Sequence, residues 1–190
     1  MAKEPVKLKK RQSELRAWRP KWILAMSAYL GLCWYAMMAV HEGGHVIGAW
    51  LTGGIVERVV LHPLAISRTD LSVNPHPLPV VWCGPVFGCV IPILNWLMTQ
   101  QLLPKAAHLA RFFAGFCCVA NGAYLGIGSF ESVGDAGDLL KHNCPIGYLW
   151  LFGIAMIPAG FALWNGLGPS FGLANSRIRD VNQNSTSSHS

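Results

Sequence analysis

The sequence predicts an all-α membrane protein with about four transmembrane helices and a short membrane-edge hairpin, or strap, between the first and the second. Three observations carry this. Hydrophobic residues make up 52% of the 190 positions and charged residues only 13%, a membrane balance and not a soluble one. Eight of the fifteen Lys and Arg fall within residues 3–21, whereas no charge occurs between Asp70 and Lys105 or between Lys141 and Arg177. Four apolar runs are each long enough to cross a hydrocarbon core of roughly 30 Å, which takes about 20 helical residues.

In chain order, the organisation is a basic juxtamembrane segment at 1–21, a transmembrane core at 22–173 and a polar, low-complexity tail at 174–190 expected to be disordered. The core's apolar runs lie at about 22–50, 80–98, 106–130 and 146–167. Pro92 and Pro158 fall inside the second and fourth, where each removes a backbone donor. Kinks are expected there, with neighbouring helices meeting the freed carbonyls. Between the first two runs, "TGGIVERVVLHPLAISRTDLSVNPHPLP" opens on Gly-Gly, continues through a β-branched cluster and closes on prolines, which predicts a hairpin and an extended strap. The connector 130–145, "FESVGDAGDLLKHNCP", gathers Glu131, Asp135 and Asp138.

The basic segment sets orientation. The positive-inside bias places the N-terminus in the cytoplasm, and four spans return the C-terminus to the same side of what is expected to be a bacterial-type cell membrane. From Trp22 to His41 a helix rises about 28 Å, so His41 is expected near the exoplasmic end. A basic juxtamembrane tail contacts anionic lipid, and nucleic acid is not expected as a partner. The first apolar run is too long for a typical cleaved signal, so it is expected to remain as an anchor. Cys33, Cys83, Cys89, Cys117 and Cys118 sit in apolar runs with no CxxC pair and read as small packing residues. Cys144 stands in a polar loop with no obvious partner.

One stretch does not suit a helix made only to span. "MAVHEGGHVIGAW", residues 38–50, places two histidines, a glutamate and two glycines at the end of the first run. His41 and His45, four apart, share one helix face and can hold one ion. Glu42 lies beside that face, placed to take a proton from the water that the metal activates, as amide hydrolysis requires. At this chain's own His and Glu frequencies the pattern is expected about 0.007 times by chance, too rarely for coincidence to explain it. Intramembrane ionisable groups also cost insertion energy unless paired or bound to an ion. Gly43 and Gly44 suit either close helix packing or substrate access. His62 and His76, in the strap, read as interfacial or turn residues, and Trp18, Trp22, Trp82 and Trp96 as interfacial or packing residues.

The HEGGH helix, the strap, the Gly84-Pro85 pair in the next helix and the later "GDAGDLL" together resemble the site-2 protease family of intramembrane zinc metalloproteases, over about residues 22–140. The resemblance implies one catalytic zinc held by His41, His45 and an aspartate of a late motif, which the match places at Asp135, with Glu42 as the catalytic base. Asp138 and Glu131 are the alternatives for the third ligand. Ala136 stands where the family pattern has a glycine. Asn121 resembles the family's membrane asparagine that orients substrate or its oxyanion, although its spacing to Asp135 is long; the plainer role is an interhelical hydrogen bond. The expected substrate is a transmembrane helix of another membrane protein, cut in or near the bilayer after local unwinding, with the strap offering a strand edge. No PDZ-like or nucleotide-sensing domain is expected within these 190 residues. A metal-ion transporter or a non-catalytic protease-like scaffold is the alternative. The later runs carry little polar beyond Asn95 and Asn121, which is poor material for an ion path.

Overall fold

The structure, a computed structural model, describes residues 4–62 and 67–171, with side chains from Pro20 onward. Its elements are helix α1 (Glu4–Thr52), strands β1 (Ile55–Val60) and β2 (Arg68–Val73), and helices α2 (Pro77–Leu102), α3 (Ala107–Gly126), α4 (Gly128–Glu131), α5 (Gly134–Lys141) and α6 (Ile146–Trp164). A 3-10 turn, Gly168–Phe171, follows. Four segments are long and apolar enough to cross a membrane: Pro20–Thr52, Pro77–Leu102, Ala107–Glu131 and Ile146–Trp164. The chain is therefore an all-α, multi-pass membrane protein with one small sheet. Large side chains such as Leu24 and Ile154, each 71% exposed, face outward, where only lipid would favour them.

Two boundaries differ from expectation. Helix α1 begins at Glu4 and runs through Pro20 into the span, because the Glu, Lys, Arg and Leu residues ahead of the proline are strong helix formers. The third run reaches Glu131, close to the expected 130, with α3 ending at Gly126 and the single turn α4 completing it. The connector after it is not merely a loop, since its residues 134–141 form α5 with Ala136 and Leu139 buried. Helices α2 and α6 continue through Pro92 and Pro158. The tail 174–190 lies outside the described residues.

The helices alternate in direction, so one end of the bundle gathers the last third of α1, the start of α2, the end of α3 and α5. The other end is closed by Trp22 Nε1 donating to Phe171 O at 3.1 Å and by Tyr29 Oη donating to Leu109 O at 2.7 Å. Helices α3 and α6 pack closely, with Gly126 facing Gly153. Helix α1 packs on α2, and Gly44 makes that possible, since a Cβ there would collide with the Cys83 carbonyl. Helix α1 touches α3 sparingly, and a cavity of about 750 Å³ opens between them. All six cysteines are free, and Cys144 is buried with Leu125, Leu139 and Leu149 instead of lying in a polar loop.

Strands β1 and β2 form an antiparallel hairpin, with Arg58 opposite Asp70 and Val59 opposite Thr69. The register shifts near Val56, as a bulge does, which twists the hairpin. Arg58 grips the Asp70 carboxylate at 2.7 Å and Arg68 reaches its other oxygen at 3.1 Å.

Candidate metal centre

The α-helical spacing of HEGGH places His41 and His45 one turn apart on the buried face of α1, with ring centroids 4.8 Å apart. Asp135 reaches them from the first turn of α5. Its Oδ2 lies 2.8 Å from His41 Nε2 and 3.2 Å from His45 Nε2, and the two Nε2 atoms are 3.1 Å apart. Among the described residues these three form the single cluster of at least three ligating side chains.

What faces what decides the chemistry. His41 Nδ1 donates to Asn121 Oδ1 at 2.6 Å, and the amide's orientation is fixed because Asn121 Nδ2 donates to Cys117 O at 2.9 Å. His45 Nδ1 donates to the Val80 carbonyl at 2.9 Å. Each neutral imidazole therefore spends its one N–H outward and turns an Nε2 lone pair inward. Two lone pairs and a carboxylate oxygen then converge with no donor among them. That arrangement repels itself unless a cation sits in the middle, so the cluster can hold a metal ion. Three corners of a tetrahedron with bonds of 2.0–2.1 Å lie about 3.3 Å apart, close to the spacing found.

Gly84 gives a second test of fit. A Cβ built on it would fall on Cε1 and Nε2 of His45 and 2.9 Å from His41 Nε2, so only glycine leaves the space where the two imidazole edges meet. The Gly84-Pro85 pair of α2 therefore lies directly against the cluster. Seven residues from the start of α2, it lies about 10 Å inside that end of the bundle.

Gly134 opens α5 in the left-handed region, φ +57°, and a Cβ there would strike the Tyr124 hydroxyl. The same hydroxyl accepts a hydrogen bond from the Asp135 backbone N–H at 3.2 Å, which seats the carboxylate. Asp138 is exposed and outside the cluster; its backbone carbonyl accepts from His142. Glu131 is exposed and lines the cavity mouth without joining the cluster. His62 and His76 are exposed and also stay apart.

Glu42 is 2% exposed, and its Oε2 accepts from the Thr69 hydroxyl at 2.7 Å. It lines the cavity together with His41, Asn121, Tyr124, Met37 and Met38. Thr69, Tyr124 and the Val80 carbonyl escape a reading of the sequence, because none belongs to a spaced motif and each acts through a tertiary contact. Comparison with protein-family models, with curated proteins and with solved structures returned no match.

Proposed function

We propose that this chain is an intramembrane zinc metallopeptidase of the site-2 protease kind, hydrolysing peptide bonds within or near transmembrane segments of other membrane proteins. The supporting observation is the convergence of two imidazole lone pairs and one carboxylate oxygen beside a buried glutamate, on the wall of an apolar cavity in the bundle. Two nitrogen donors and one oxygen donor suit tetrahedral zinc with an open fourth position. Zinc there supplies the charge that polarises a scissile carbonyl and acidifies the attacking water.

The rest falls to the chain's own residues. Asn121 and the Val80 carbonyl orient the two imidazoles. Glu42 takes the proton of the attacking water and passes it to the leaving amine. Trp34, Met37, Met38 and Ile127 line the cavity, receive the apolar side chains of an unwound substrate and hold bulk water back. The eight basic residues within 3–21 favour a cytoplasmic N-terminus and C-terminus, with the site toward the exoplasmic side of a bacterial-type cell membrane.

The test is reconstitution in liposomes with single-span peptides bearing a fluorophore and a quencher at opposite ends. Wild type is expected to cleave and a chelator to stop it. Glu42→Gln is expected to keep its metal and lose about 10²- to 10⁴-fold in rate. Undiminished cleavage by that variant sinks the assignment of Glu42, while metal flux without cleavage in either form favours a transporter.

A further inference from the structure

We infer that Thr69 is a positioning residue for Glu42, which makes the hairpin part of the reaction machinery and not only a rest for substrate. The inference deepens the peptidase reading and rests on it. A carboxylate as buried as Glu42 is costly without a hydrogen-bond donor. Among the described residues, the donor to its carboxylate is the Thr69 hydroxyl, 2.7 Å from Oε2. The other oxygen, Oε1, is not the one Thr69 holds, and the side chain borders the cavity. One oxygen is thus anchored and the other is left for a proton. A base needs that combination, since a free rotamer would spend most of its time out of reach of the attacking water.

The anchor is itself held. Thr69 pairs with Val59, and its neighbour Asp70 is bound across the hairpin by Arg58 and along β2 by Arg68. Helix α1 therefore supplies the base, while a strand 27 residues further on sets its rotamer. A polypeptide that pairs with the hairpin and shifts β2 shifts the Thr69 hydroxyl and with it Glu42. The hairpin then reports substrate docking to the base through one hydrogen bond.

The experiment compares Thr69→Val and Thr69→Ser in the full-length, metal-loaded protein, with the same fluorogenic single-span peptides in liposomes. Positioning through the hydroxyl predicts that Thr69→Val loses about 10- to 100-fold in kcat with KM and bound metal unchanged. Thr69→Ser, which keeps the hydroxyl, is expected to stay within about threefold of wild type. A purely structural role predicts the opposite order, because valine matches threonine in shape and favours strands, whereas serine does neither. Wild-type kcat in Thr69→Val overturns the inference, as does a loss in Thr69→Ser equal to that in Thr69→Val, or a loss that follows KM or metal content. If wild type cleaves nothing, the peptidase reading falls and this role falls with it. If wild type cleaves and the order is structural, only the role of Thr69 falls.

Discussion

Asn121 on α3 holds His41 on α1 by a 2.6 Å hydrogen bond, and because its own amide is spent on Cys117 O, it can serve His41 Nδ1 only as an acceptor. The bond fixes the tautomer of His41 and points Nε2 at the cluster. Removing the acceptor with Asn121→Ala is expected to weaken metal binding about 10- to 100-fold while the helical content stays the same. Competition with a metallochromic chelator measures the first and circular dichroism the second. Unchanged affinity would reduce Asn121 to an ordinary interhelical contact.

The third ligand separates two carboxylates only three residues apart. Asp135 lies within 2.8 Å of a histidine nitrogen, whereas Asp138 is exposed. Asp135→Asn is therefore expected to lose stoichiometric metal, and Asp138→Asn to keep it. Metal analysis of the two purified variants decides. Equal retention by both would place the third ligand elsewhere.

Alanine usually strengthens a helix relative to glycine by about 1 kcal/mol, so Gly84→Ala tests geometry against propensity. Here the added methyl would collide with both imidazole edges. The expected result is a protein that still folds into its helices but has lost most of its bound metal. A variant that binds metal as wild type does would mean that the imidazoles meet the ion in a different arrangement.

The fold was legible because hydropathy and chain length decide it: once four apolar runs must each cross a bilayer, little freedom remains. His41 and His45 were legible because helical periodicity alone puts them together. Asp135 was nominated by resemblance and could be separated from Asp138 only in three dimensions, since which carboxylate faces the bundle depends on where α5 begins. That start is set by Gly134 at positive φ and by the Tyr124 hydroxyl, a contact between α3 and α5. For Asn121 the structure contains the plainer of the two expectations, an interhelical hydrogen bond, and its partner is His41 itself. Thr69 was illegible: a threonine in a strap has many uses, and only the folded hairpin brings its hydroxyl to Glu42.

The clasp on either side of Thr69 has a pH signature. Hydrogen bonds from Arg58, joined by the charge and hydrogen bond of Arg68, hold the Asp70 carboxyl below its usual range. A carboxyl lowered in the folded state contributes stability that is fully present above the ordinary aspartate value, about 3.9, and lost only as pH falls through the lowered one. Between pH 8 and pH 5 the clasp is therefore constant. Amide hydrogen exchange of the 55–73 segment, followed by mass spectrometry and corrected for intrinsic pH dependence, is expected to be flat across that window. Asp70→Asn, lacking the charge, is expected to exchange faster at every pH in it. Because the pair is exposed and screened by solvent, the change should be modest, and it should lower kcat less than Thr69→Val does. Protection that falls between pH 8 and pH 5 in wild type would show that another group governs the hairpin.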